Sequence, residues 1–230
     1  MNLSMPFSEL KPYIAKQLDH FFPDSYRFDG ADVDSALDAA IQRAEYCFKH
    51  VDMRYYNDER GACFYHLHSD QYTSFLYFLS NSLWLKSQNK PLCDKLLFLN
   101  KTLNSMFISY HCKLPDIFVF SHAIGSVIGN AVYSDFLVVF QNVTINTGDD
   151  TGVWQPPKLG KGVFLGADVK IIGSGTIGHF SSIGVGSCIY KFDVPDHSVV
   201  FTDTNGKLNI KKHEKPCRAQ AYFNVDIQKH

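Results

Sequence analysis

The sequence has no surplus of charge: 22 Lys and Arg stand against 23 Asp and Glu, a formal net charge of −1. That balance removes the electrostatic reason to expect a nucleic acid or an anionic membrane as partner. No basic block or aromatic RNA-reading motif restores it. Paired cysteines are missing too. Cys47, Cys63, Cys93, Cys112, Cys188 and Cys217 are scattered without a CxxC pair, which reads as reduced thiols in a cytoplasmic protein. No apolar run approaches the ~20 residues that a membrane-spanning helix needs. The opening "MNLSMPFSELKPYIAKQLDHFF" carries neither a basic region nor the continuous apolar stretch of a secretory leader. The expectation is a soluble cytoplasmic protein with no membrane insertion and no nucleic-acid partner.

What is present divides into two halves with different periods. "VDSALDAAIQRAEYCFKHV" sets Val33, Leu37, Ile41, Ala44, Phe48 and Val51 three and four apart, with Ser35 and Asp38 as a capping signal. "SDQYTSFLYFLSNSLWLK" repeats the stripe through Tyr72, Phe75, Leu76, Leu79 and Leu83, with Ser69 or Asp70 as the cap. "KPLCDKLLFLNKTLNSMF" does so through Leu92, Leu96, Leu99, Leu103 and Met106, and Pro91 suits its first turn. Between the first two, "YYNDERGACFYHLH" reads as a loop or short irregular element. Residues 1–107 are therefore expected to form an α-helical domain of three or more helices.

The second half repeats every six residues. Leu159, Leu165, Ile171, Ile177, Ile183 and Ile189 are aliphatic at a strict interval of six, and glycine follows four of them. Neither a helix nor an alternating strand predicts that interval; a parallel β-helix does, with one inward aliphatic on each flat side of a coil. Glycine is expected there for the tight corner. Tyr133, Val139 and Ile145 keep the interval upstream, and Ile128-Gly129 starts it one residue short. Fourteen residues then separate Ile145 from Leu159, and "NTGDDTGVWQPPK" within them reads as a loop excursion over 146–158, suited to a binding lid. The β-helix is expected over 108–200 and a C-terminal tail over 201–230, where Asn205-Gly206 signals a hairpin between "VVFTD" and "KLNI".

The ladder, together with "SHAIGSVIG", "QNVTINTG", "PPKLGKGVFLGADVKIIGSGTIG" and "SSIGVGSCIYKFDVPDHS", resembles the serine acetyltransferase-like branch of the hexapeptide-repeat acyltransferases. The resemblance covers about residues 107–200 by motif and the helical half by general character. It implies an α+β chain, an N-terminal α-helical domain followed by a left-handed parallel β-helix. It also implies acetyl-coenzyme A as donor and a homotrimer, extended to a dimer of trimers if the helical half joins two. The family's Asp-His-Ala-Thr-Gly motif, whose histidine is the base, falls on Ser121-His122-Ala123-Ile124-Gly125. A second family histidine falls on Pro156, and an orienting aspartate falls near Ser109. Gly148, Ala167 and Gly184, with Val185 beside it, stand where the family admits the pantetheine arm. A thin arm along a coil needs bare backbone, which small residues provide.

Read from its pattern alone, His122 is either a hydrogen-bonded histidine at a coil corner or a base. With the family motif it becomes the catalytic residue, because an alcohol attacking a thioester needs its proton removed and histidine is receptive near neutral pH. His111, Asp116 and Gln155 are candidates for holding or orienting the acceptor, with His111 and Tyr110 also read as structural. His111, Cys112 and His122 match no zinc spacing, so no metal is expected; His66, His68 and Cys188 read as packing or surface residues. Lys211, Lys212, Lys215 and Arg218 read as a solvated basic tail, or as attractors for the phosphates of coenzyme A. The family's acceptor-side acid and second histidine are replaced here, which points to a hydroxyl on a sugar or a polysaccharide or lipopolysaccharide precursor. The alternative acceptor is L-serine, as in cysteine biosynthesis. A non-catalytic trimeric assembly module is the competing class.

Overall fold

In a computed structural model, described over residues 1–146, 155–213 and 215–230, the six-residue interval becomes a three-sided prism. The first face comprises Val132–Tyr133, Lys158–Leu159 and Thr176–Ile177. The second comprises Phe118–Phe120, Leu137–Val139, Phe164–Leu165, Ser182–Ile183 and Ser198–Thr202. The third comprises Phe107–Ile108, Val127–Ile128, Thr144–Asn146, Lys170–Ile172 and Cys188–Tyr190. Strands pair in parallel from coil to coil, so that Leu165 sits between Val139 and Ile183, and Ile171 between Ile145 and Ile189. All six point inward and are at most 2% exposed. The winding is left-handed, opposite to ordinary parallel crossovers; each crossover here is a tight corner instead of a helix. Left-handed residues such as Asn142, Asp168, Phe180 and Lys191, with φ between 54° and 60°, make those corners.

The glycines of the ladder have a different cause from the expected one. A Cβ on Gly178 would stand 2.4 Å from the Asp196 nitrogen, and one on Gly184 would stand 2.9 Å from the Val200 carbonyl oxygen. Close approach of the next coil, not the turn angle, excludes a side chain. Two irregularities of the ladder also resolve. Leu159 pairs with Ile177 eighteen residues on but with Tyr133 twenty-six residues back. The eight extra residues fall in the expected excursion, of which 147–154 lie outside the described residues. In the first coil, Phe120 pairs with Val139 and Ile128 with Ile145. Eight positions separate that inward pair where six separate the next, so the corner at 121–125 projects.

Four helices precede the prism: α1 (Phe7–Phe21), α2 (Ala31–Phe48), α3 (Ser69–Ser87) and α4 (Lys90–Asn104). The first, with Leu10, Ile14 and Leu18 buried at four-residue spacing, was not singled out from the sequence. Ser35 lies inside α2, whose N-cap is Gly30, so the capping signal there is incidental. The irregular stretch after α2 contains a short sheet, with Gly61–Phe64 between Asn57–Asp58 and Asn2–Leu3. The stripe read on α3 is buried, but so is its opposite side, because α3 runs between its sister helices and the prism. Phe78 and Tyr77 lie 5.4 and 6.3 Å from the Phe118 ring of the first coil. The Tyr77 hydroxyl donates to the Cys112 carbonyl and accepts the Leu114 N–H, both at 2.9 Å.

The C-terminal segment is not a solvated tail. Ser198–Thr202 and Leu208–Lys212 form the expected antiparallel hairpin, with Asp203 accepting the Asn205 and Lys207 N–H groups across its loop. Lys211 and Lys212 are exposed there. From Cys217 the chain returns across the second face, burying Cys217, Ala219, Phe223 and Ile227. Arg218 lies over the Phe164 ring at 5.0 Å. Apolar residues at these positions, which the basic composition obscured, hold the segment down.

Candidate active site

His122 occupies the projecting corner between the second and third faces. Its backbone is left-handed, with φ of 52°, as it is at Asn142 and Asp168 on the same edge. Corner geometry therefore accounts for the conformation. Three elements hold this corner. Asp70, buried in the first turn of α3, accepts the His122 N–H through Oδ2 at 3.1 Å. The Gly125 N–H donates to the Ser105 carbonyl at the end of α4, and the Asn142 N–H donates to the Ile124 carbonyl, both at 2.9 Å. His122 itself is exposed, and its imidazole makes no hydrogen bond among the described residues.

Ala167, Gly184 and Val185 stand on the same edge. Leu165 lies two rungs above Phe120 and Ile183 three. With rungs ~4.8 Å apart, Ala167 is about 10 Å and Gly184 about 14 Å along the edge from His122. Ala167 is half-buried, and Val185 is 69% exposed. Their backbone is partly engaged within the prism. The Gly184 N–H donates to Val200 at 2.7 Å, and the carbonyls of Ala167 and Gly184 accept from Gly186 and Ser187. A carbonyl keeps a second lone pair for a ligand. Gly148 lies outside the described residues.

The acceptor candidates are elsewhere. Asp116 is exposed at the corner between the first and second faces, about 20 Å of extended chain before His122. It lines a groove of ≈ 660 Å³ with Lys113, Tyr133, Asp135, Lys161 and His179. Gln155 lines a groove of ≈ 550 Å³ with Lys158 and Asp193, between the third and first faces. His111 packs edge-on to Trp84 at 4.5 Å; Trp84 is fourteen residues along α3 from Asp70, about 21 Å. The Tyr110 hydroxyl donates to Asp94 at 2.8 Å, and burial with that carboxylate pushes the phenol up. One chain thus brings His122, Ala167, Gly184 and Val185 to one edge and leaves His111, Asp116 and Gln155 apart from them.

The serines at the family's acid positions do not replace those acids. The Ser109 hydroxyl accepts the His111 N–H at 3.2 Å, within its own turn, and Ser121 is 3% exposed with its N–H on Val139. The residue that sequence reasoning missed is Asp70. It was read as a helix cap, but the N-cap is His68 and no side-chain cap bond forms. Its partner lies 52 positions away, a separation no local signal reports. The six cysteines form no disulfide, and burial pushes the Cys47 and Cys93 thiols up to about 12. Among the described residues no three His, Cys, Asp or Glu side chains gather as a metal would require. No described helix is long and apolar enough to cross a membrane.

No protein-family model matches the chain. Serine acetyltransferase 2 of Arabidopsis thaliana is 29% identical over 181 residues, covering 74% of this chain and 54% of that protein. Serine acetyltransferase of Synechococcus elongatus is 33% identical over 120 residues, covering 51% and 48%. Among solved structures, serine acetyltransferase from Vibrio cholerae aligns with a TM-score of 0.61 at 22% identity, over 81% of this chain and 69% of that one. The chain is thus similar to serine acetyltransferases over part of their length. Soybean serine acetyltransferase complexed with serine aligns with this chain at a TM-score of 0.58 and 22% identity, over 87% and 84%. At such identity the structural likeness establishes the fold. The chain spans about half the length of the curated relatives it matches.

Proposed function

We propose that the chain is an acetyl-coenzyme A dependent O-acetyltransferase with His122 as general base. The observation that carries this reading is the alignment of His122, Ala167, Gly184 and Val185 on one prism edge. A thin pantetheine arm fits an edge whose side chains are small and whose carbonyls retain acceptor capacity. The donor supplies the thioester. His122 takes the proton of the acceptor hydroxyl as its oxygen bonds to the acyl carbon, and returns it to the sulfur as the carbon–sulfur bond breaks. No side chain need carry the acyl group.

L-serine is the first acceptor to test, because the relatives above bear that name and the soybean protein is complexed with serine. It fits better than the saccharide hydroxyl expected from the sequence. A saccharide remains the second reading on one observation: Ser121 places no carboxylate beside the base to receive an amino group. We further propose a homotrimer, joined into a dimer of trimers if the helical halves pair. The third face separates the edges of His122 and Gln155, so a site using both requires a neighbouring copy.

The test is thiol release from acetyl-coenzyme A, with L-serine as sole acceptor and then with free and nucleotide sugars. The expected result is turnover with L-serine that falls ~100- to 10,000-fold in His122→Ala. Turnover only with sugars moves the acceptor to the second reading. Undiminished release in His122→Ala, or no release with either class, overturns the proposal.

A further inference from the structure

We infer that Asp70, on the helical half, is the positioning residue of the base, and that it acts by holding the His122 backbone. This rests on the reading of His122 as the base. Position 70 is an expensive place for a carboxylate. It is 5% exposed, and burying a charge is unfavourable unless strong hydrogen bonds compensate. Its helix does not require it, since its side chain caps none of the free N–H groups of α3. It accepts instead the His122 N–H at 3.1 Å, from a different half of the molecule. Bonds from an N–H to an ionised acceptor are roughly twice as strong as neutral ones.

The corner needs such a hold. It has two residues more than the corner of the next coil, and additional length in an unsupported turn brings additional conformers. The contacts from Ser105 and Asn142 fix Gly125 and Ile124, and the His122 carbonyl accepts the Ile124 N–H within the corner at 2.8 Å; Asp70 holds the His122 N–H from outside the corner. The imidazole has no hydrogen bond of its own to orient it among those residues. Setting the amide direction sets the Cα–Cβ direction, and with it the volume the ring can sweep. Asp70 thereby supplies orientation where Ser109 and Ser121 supply none. Displacing a reacting group by about 1 Å costs on the order of 100-fold in rate.

The experiment compares wild type, Asp70→Ala, Asp70→Leu and Asp70→Asn in the full chain. Initial rates and amide hydrogen exchange over residues 121–125 are both read. In Asp70→Ala, kcat is expected to fall about 100-fold while KM for acetyl-coenzyme A stays within about twofold, since Ala167, Gly184 and Val185 lie two and three rungs away along the edge. Asp70→Asn keeps an oxygen that accepts the same N–H, and is expected to recover at least about tenfold of that loss. Exchange at His122 is expected to quicken in the Ala and Leu variants while the upper coils keep their protection. Leu fills the space of Asp without an acceptor, so it decides the matter if the Ala variant does not fold. A folded Ala or Leu variant with unchanged kcat, or unchanged exchange at His122, overturns the inference. If wild type shows no acetyl transfer, the reading of the base falls, and the exchange data still decide whether Asp70 holds the corner.

Discussion

His68 closes the loop before α3 with its ring edge-on to Tyr55 and Tyr56, at 6.2 and 5.8 Å. Its buried Nδ1 has no partner among the described residues, a defect that costs about 1–3 kcal/mol. His68→Phe keeps the ring contacts and removes the orphan nitrogen, so it is expected to raise unfolding stability by about 1 kcal/mol in a urea titration. A lower midpoint would mean that the nitrogen is satisfied after all. At this scale the sequence yields candidates more readily than geometry. His122 stands out in the sequence because its neighbours carry a motif. Its support was not, because Asp70 lies on another element and its local context resembles a cap. His111, Asp116 and Gln155 are plausible by type, and within one chain distance along α3 and around the prism separates them from His122.

Among elements, the six-residue ladder was the most legible, because every rung meets nearly the same surroundings. The reason for its glycines was not legible, since a neighbouring coil lies eighteen residues away. Gly178→Ala sets a Cβ 2.4 Å from the Asp196 nitrogen, and backbone there cannot rotate aside. A loss of about 1–3 kcal/mol is expected, read as a lower Tm; an unchanged Tm would show that the coils have slack. The helices were legible from their stripes, with one qualification at α3. Its polar side is buried because the prism lies against it, so Asn81 is satisfied by the Tyr110 carbonyl at 2.8 Å rather than by water. Amphipathic patterning reports a helix's own periodicity, and it is silent about a second partner.

For the molecule as a whole, the returning C-terminal segment ties the prism to the end of α2. Phe223 bridges Val51, the Asp52 N–H donates to Tyr222 at 2.8 Å, and the Asn224 N–H donates to His50 at 3.0 Å. Burial holds the His50 imidazole below its ordinary pKa; the Tyr46 carbonyl and Asp135 oppose this, while Lys49 and His230 add to it. The unfolded chain therefore binds the proton more readily. The neutral ring's contribution is full above about pH 6.5 and declines as pH falls below that value. Trypsin cleavage at Arg218 is expected to quicken at pH 5.5 relative to pH 7.5, after correction for the protease's own pH dependence, and His50→Gln should flatten the difference. Equal cleavage at both values would remove His50 from the tie. This packing escaped sequence reading because the lysines around it suggested solvent, and the apolar residues that anchor it are spaced too irregularly to form a stripe.

The most direct measurement is amide hydrogen exchange of the wild-type chain with and without coenzyme A. If the edge that carries His122 receives the donor, slowing should appear together at residues 121–126, 166–168 and 184–187. Protection confined to the groove around Lys113, Asp135 and Lys161, or no protection at any edge, would contradict it.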